Sequence, residues 1–228
     1  MAATPRRNLS PADGLVFHIM NRAVGGITLF GHAGEFEAFE DLIEAAHERE
    51  PLDLFIYCIM PNHWHLVVRP NTDRQLSSFI HWLSGTHAKR WQVGHNALGS
   101  GHVYQARFKS CPVQTDAHFL TVCRYVERNP LTAGLVNRAE EWRWGSLWHR
   151  HRVGGRAQRL LSPWPVEPPR HWRAWVNDPL TAKEERAIRL ALEKGRPFGS
   201  PAWQDRVGRA LGLAPVPRDP GRPCKGRY

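Results

Sequence analysis

His63 and His65 stand two residues apart in HWHLVVR, a run that reads as a β-strand. Successive strand side chains point to opposite faces, so both imidazoles project on one side while Trp64, Leu66 and Val68 take the other. Such a pair either binds a divalent metal or forms two hydrogen-bonded strand histidines. An H-x-H triplet in a chain with 13 histidines does not choose between these. From Asp116 onward, Phe119, Val122, Cys123 and Val126 recur at i, i+3, i+4 and i+7, the apolar stripe of a helix. At about 100° per residue, His118, Tyr125 and Asn129 share one flank of that stripe, with Tyr125 and Asn129 as i, i+4 neighbours.

A phenol with a reference pKa of about 10 is a weak nucleophile at neutral pH and needs a nearby base or metal. A divalent ion held by the His63 and His65 imidazoles and the Asn129 amide oxygen would polarise a phosphodiester and orient it for attack by Tyr125. This mixed N/O set with open positions suits Mg²⁺ or Mn²⁺, although imidazoles also accept Zn²⁺ or Ni²⁺. The competing reading makes Tyr125 a helix tyrosine with a wet hydroxyl. Of the other tyrosines, Tyr57 lies in an apolar strand, Tyr104 falls on a packed face and Tyr228 is terminal. Pro130 biases Asn129 out of helical geometry, which predicts a helix end near Arg128 and an amide turned away from the histidines. His118 reads as a surface histidine.

The elements that must position these groups follow from periodicity. Leu15 to Asn21 reads as a strand, and 34–50 as a helix with Phe36, Phe39, Leu42, Ile43 and Ala46 inward. Leu54 to Met60 and His63 to Arg69 form a hairpin through Pro61-Asn62. A second helix spans 74–93, with Leu76, Phe79, Ile80, Leu83 and His87 on its core face. His102 to Val113 reads as a fourth strand with Gln105, Arg107 and Lys109 on one face. A helix begins at Thr115 or Asp116 as N-cap. The order is βαββαβ over about 100 residues, an α+β ferredoxin-like core with an antiparallel sheet, followed by the helix that carries Tyr125.

Beyond that helix the composition shifts. Trp142, Trp144 and Trp148 sit in a short Arg-rich segment and read as pins for an extension more than as stacking platforms for unpaired bases. Ser162 to Arg173 is too proline-rich for regular structure, and 181–194 and 201–212 read as helices. The division is therefore a catalytic unit at 12–150 and a basic extension at 151–228. Residues 1–129 carry 12 Lys/Arg against 12 Asp/Glu, and 130–228 carry 19 against 9, so the whole +10 net charge lies in the later part. That predicts a neutral unit for chemistry and a basic half that grips a polyanion. Arg222, Lys225 and Arg227 read as a basic arm that binds DNA, covers the active site or merely solubilises. Four cysteines without a CxxC pair disfavour a zinc ribbon or redox motif. No apolar run reaches the roughly 18 residues of a membrane helix and no signal region opens the chain, so a soluble, cytoplasmic, nucleoid-associated protein is expected.

Taken together, PNHWHLVVRP, GHVYQARFKS, CRYVERNPLTAGLV and WRWGSLWHR resemble the REP-associated tyrosine transposases, single-tyrosine HUH nucleases, from about Val16 to Trp148. GRPFGS and GRPCKG continue the likeness. The resemblance implies a single-stranded DNA endonuclease and strand transferase that cleaves and rejoins REP-like hairpins through a 5′-phosphotyrosine. Tyr125 matches the nucleophile, and His63, His65 and Asn129 match the ligands of a divalent metal, Mg²⁺ or Mn²⁺. Where the transposon-borne branch has glutamine this chain has Asn129, which matches the REP-associated branch. The resemblance assigns Gln105, Arg107 and Lys109 to DNA, together with Asn21 and Arg22, which otherwise form a turn. It also favours a monomer over a dimer. Two other readings stay open. One is a catalytically silent, domesticated hairpin-binding protein. The other is an RNA-binding ferredoxin-like domain with Phe17 and Trp64 on its sheet, although no RNP-like motif surrounds them.

Overall fold

The computed structural model describes residues 14–72, 74–150, 152 and 155–213. Strand β1 (Val16–Arg22) leads through helix α1 (Ala33–Arg49) to the hairpin of β2 (Asp53–Met60) and β3 (His63–Arg69). Helix α2 (Gln75–Gly94), strand β4 (Lys109–Val113) and helix α3 (Ala117–Thr132) follow. The four strands form one antiparallel sheet in the order β2-β3-β1-β4, the ferredoxin-like arrangement that the βαββαβ pattern predicts.

Strand alternation divides the apolar residues between two cores. Phe17, Ile19, Leu54, Tyr57, Trp64, Leu66 and Val68 meet Phe39, Leu42 and Ile43 of α1 and Phe79, Ile80 and Leu83 of α2. On the other face Val16, Ile56, Cys58, Val67, Cys111 and Val113 meet Phe119, Val122, Cys123 and Val126 of α3. A register shift between Leu54 and Ile56 puts the consecutive Phe55 and Ile56 on the same, α3-covered face. The helix that carries Tyr125 therefore crosses the face that carries the histidines.

The fourth strand is shorter than its sequence predicts. Tyr104 bridges Ala23 and Lys109 pairs with Met20, so two residues of β1 face four of the opposing chain. The surplus bows Gln105, Ala106 and Arg107 into solvent. Only Lys109 of the predicted cationic row stands in the sheet. Pro112 lies within β4, where its missing N–H is tolerated at a sheet edge.

Helix α3 runs past the predicted stop at Arg128. Asp116 caps its start by accepting from the His118 N–H at 2.8 Å. Pro130 lies inside the helix, and the end falls at Gly134 (φ 69°), where the Gly134 N–H donates to the Leu131 carbonyl and the Leu135 N–H to the Pro130 carbonyl. This paired capping needs a left-handed residue that only glycine adopts freely. Asn129 consequently stays in helical phase with Tyr125.

The chain after α3 contributes α4 (Ser146–Arg150), and the extension from 151 contributes α5 (Arg156–Leu160), α6 (Trp172–Asn177), α7 (Ala182–Lys194) and α8 (Pro201–Ala210). Together they cover both sheet edges. At β2 the Ile59 N–H donates to the Trp144 carbonyl, and the Trp142 indole donates to the Ile59 carbonyl, each at 2.9 Å. At β4 the Phe198 N–H donates to the Pro112 carbonyl at 2.8 Å. Trp172, Val176, Ile188 and Leu192 complete the core beneath α3. No helix among the described residues is long and apolar enough to cross a membrane.

Part of the basic charge after Asn129 is paired within the molecule. Arg143 pairs with Glu37 at 2.9 Å, Arg156 with Asp41 at 2.7 Å and Glu44 at 3.1 Å, and Arg159 with Glu44 at 3.2 Å, all acids of α1. The Arg150 guanidinium donates to the Phe55 carbonyl and lies over Trp164. These four of the nineteen Lys/Arg after Asn129 dock this part of the chain on the core.

Candidate active site

Pairing register fixes what surrounds the two histidines. Across β1 and β3, Arg22 lies opposite His63 and Met20 opposite His65, and Lys109 lies on the far side of Met20. Paired residues share a face. His63, His65, Arg22 and Lys109 therefore stand on the α3 face, with His18 one step further along β1. The His63 and His65 rings are perpendicular, with centroids 5.0 Å apart.

Helix α3 brings Tyr125 and Asn129 over this patch. The Tyr125 ring lies edge-on to His65 and to His18, with both centroids 6.0 Å away. Asn129 Nδ2 is 3.3 Å from His65 Nε2, and the same side chain hydrogen-bonds His63. The amide thus sits between the two imidazoles, one helical turn beyond Tyr125 as the i, i+4 spacing predicts. The expected turning away of Asn129 does not occur, because α3 continues through Pro130.

Proton positions follow from the partners. His63 Nδ1 is 2.7 Å from Asn62 Oδ1, an oxygen that only accepts, so a proton on Nδ1 satisfies both atoms. Burial, then the Arg22 guanidinium, lowers the His63 pKa to about 4, against a rise from its hydrogen bond to Asn129. His65 is pushed well below the ordinary histidine range, first by burial and then by His63 and His18. Both rings are neutral at physiological pH, the state in which imidazole binds a metal.

These residues fit a divalent cation. Two neutral imidazoles hold their other ring nitrogens in hydrogen bonds, and a carboxamide lies between them. Two imidazole nitrogens with one amide oxygen leave open positions for phosphate oxygens. The donor set contains no Asp, Glu or Cys, and among the described residues no group of three or more His, Cys, Asp or Glu side chains is poised to hold a metal.

The remaining predicted residues divide. Arg22 and Lys109 flank the histidines. Asn21 points to the opposite, helix-covered face, where it is 5% exposed and its amide donates to Ser84 Oγ at 3.2 Å, a structural role in place of the expected DNA contact. Gln105 and Arg107 are exposed on the bow before β4. His118 pairs with Asp116 at 2.7 Å and lies against Phe198, away from the amide and the two rings. Trp142 and Trp144 pin the extension, and Trp148 stacks under Arg152. Arg222, Lys225 and Arg227 lie outside the described residues.

Two neighbours of the site escaped sequence reasoning. His18 interrupts an apolar strand, a visible signal whose meaning depends on pairing with β3. Arg189 of α7 had no signal. Its guanidinium pairs with Glu185 at 2.5 Å and is held above its ordinary range, first by the neighbouring Tyr125 hydroxyl, against partial desolvation, and further by Glu185.

Helix α3 thus brings a tyrosine and an asparagine over the paired histidines of an antiparallel βαββαβ sheet. Residues 14–129 match the family described as IS200-like transposase, and the chain belongs to that family. Among solved structures, a REP-associated tyrosine transposase bound to a REP hairpin superposes with a TM-score of 0.53 at 15% identity, over 69% of this chain and 93% of that one. A putative transposase from Deinococcus radiodurans R1 aligns at 15% identity with a TM-score of 0.38, over 56% of this chain and 96% of that one. The first likeness extends the shared fold past the family match into the extension, and the second falls below the level that supports a shared fold. No curated protein matches the chain.

Proposed function

We propose that this protein is a single-stranded DNA endonuclease and strand transferase that acts on REP-like hairpins. The observation that carries the reading is the convergence of His63, His65, Tyr125 and Asn129, drawn from one strand and one helix, on one patch of the sheet. Tyr125 Oη attacks the scissile phosphorus, the bond from phosphorus to the 3′ oxygen breaks, and that oxygen leaves as a 3′-hydroxyl. A 5′-phosphotyrosine remains on the protein. Attack by a 3′-hydroxyl on that linkage restores a phosphodiester and frees Tyr125, so rejoining needs no outside energy source.

His63, His65 and the Asn129 amide would hold Mg²⁺ or Mn²⁺, which when bound supplies Lewis-acid polarisation of the scissile phosphate. Arg189, which pairs with Glu185 at 2.5 Å beside the Tyr125 hydroxyl, stabilises the developing phenolate. Arg22 and Lys109 draw the DNA backbone to the sheet face, and Gln105 and Arg107 extend the grip along the bow. The site is assembled within one chain, which supports a working monomer, and a DNA substrate supports a cytoplasmic, nucleoid-associated location.

The test is covalent capture. Wild-type protein with Mn²⁺ and a labelled hairpin oligonucleotide should give a protein-DNA band on a denaturing gel, and Tyr125→Phe should give none. A Tyr125→Phe variant that cleaves the hairpin at the wild-type rate would overturn the assignment of the nucleophile.

A further inference from the structure

His18 is the most deeply placed of the ring groups beside the site, with no exposed surface. It sits on β1 between Val67 and Cys111, and its Nε2 is 3.0 Å from His65 Nδ1 with the rings stacked at 5.1 Å. Its other nitrogen, Nδ1, is buried with no hydrogen-bond partner. An apolar side chain would fill the same space without an orphan nitrogen, whose burial costs about 1–3 kcal/mol. Packing therefore gives no reason for a histidine here. The bond to His65 does.

The direction of that bond follows from Asn129. An amide nitrogen only donates, so Asn129 Nδ2 at 3.3 Å requires a lone pair on His65 Nε2. A neutral His65 then carries its proton on Nδ1, and that proton is donated to His18 Nε2. His18, as the acceptor, keeps its own proton on Nδ1, the atom that has no partner. With the Asn129 amide nitrogen facing His65, the chain of bonds runs from Asn129 through His65 to His18.

We infer that His18 is a positioning residue that holds His65 in the Nδ1-protonated tautomer and so presents the Nε2 lone pair towards His63 and Asn129. Asn62 performs the same service for His63 through its side-chain oxygen. For His65 the acceptor comes from a neighbouring strand, and no side chain adjacent in sequence supplies it. The inference deepens the reading of His63, His65 and Asn129 as a divalent-cation site and rests on it for its consequence, although the tautomer itself exists without a cation.

The experiment compares wild type with His18→Leu, which removes the acceptor, and His18→Gln, whose side-chain oxygen can stand near the Nε2 position. Nitrogen-15 imidazole spectra of the metal-free protein report the His65 tautomer, Mn²⁺ titration by electron paramagnetic resonance reports affinity, and thermal melts report folding. Wild type should show a single Nδ1-protonated His65. His18→Leu should lose that single tautomer and bind Mn²⁺ about 10–100-fold more weakly, the usual loss when an outer-shell partner of a metal ligand is removed. His18→Gln should recover the tautomer and most of the affinity. The inference is overturned by an Nε2-protonated His65 in wild type, by a His18→Leu variant with unchanged tautomer and affinity, or by a folded His18→Gln variant as impaired as His18→Leu. Wild-type protein that binds no Mn²⁺ would remove the cation reading alone, and the tautomer comparison would still decide the role of His18.

Discussion

Glu127 lies two residues beyond Tyr125 on the buried side of α3 and ties that helix to the extension. The Trp172 indole donates to it at 2.7 Å and the Ser146 hydroxyl at 3.0 Å. Burial nonetheless pushes its carboxyl up to about 7, against those hydrogen bonds and the Arg150 charge. Between its unfolded value near 4.5 and about 7, the folded protein binds more protons than the unfolded chain, so stability falls as pH rises through that window. At its steepest the slope approaches about 1.4 kcal/mol per pH unit. Denaturant unfolding of Glu127→Gln should lack this decline from pH 4.5 to 7, and a wild-type-like decline in the variant would reject the assignment. At the same scale, Arg189→Ala should slow single-turnover adduct formation roughly tenfold, as expected for one lost charge-assisted contact to the nucleophile. An unchanged rate would exclude Arg189 from the chemistry.

Elements answer to edges and caps. The β4 edge is closed by the segment at Phe198, where the next residue, Gly199, is confined. A Cβ there would lie 2.6 Å from Gln114 Oε1 and 2.6 Å from the Trp203 ring. Gly199→Ala should destabilise the fold by about 1–3 kcal/mol, an overpacking cost measurable by chemical denaturation. A stability equal to wild type would mean that the neighbours give way freely. Gly134 sets where α3 stops, and its φ of 69° makes Gly134→Ala cost about 1 kcal/mol. Pro130 sends an opposite signal one turn earlier, and the order of the two explains why a local rule put the helix end too soon. The proline weakens one turn, whereas burial of its own ring and of Val126 keeps the helix on the sheet.

For the whole molecule, the extension is structural before it is anything else. It covers both sheet edges, completes the core beneath α3 and docks on the acids of α1. A chain ending at Asn137 exposes those edges and the apolar surface of α3, so it should aggregate or bind a hydrophobic dye in size-exclusion and fluorescence assays. A soluble monomer with a cooperative melt would show that the extension is dispensable. DNA affinity should fall steeply with salt in the full chain, while Arg22→Ala and Lys109→Ala should each flatten the slope by about one counterion. A slope unchanged in both variants would move the backbone grip elsewhere.

By itself the sequence determined the βαββαβ order, the two core faces, the strand phase that places His63 and His65 together and the helix phase that places Asn129 one turn after Tyr125. These are consequences of local periodicity, which a chain carries in every window of residues. Pairing decided the rest. Only the β1–β3 register puts His18 under His65, only the mismatch between Tyr104 and Lys109 lifts Gln105 and Arg107 off the sheet, and only packing carries α3 through Pro130. Arg143, Arg156 and Arg159 met their partners in the acids of α1, far away in sequence. Charge counts record how many cations a chain has, and the fold determines which of them are left for a ligand.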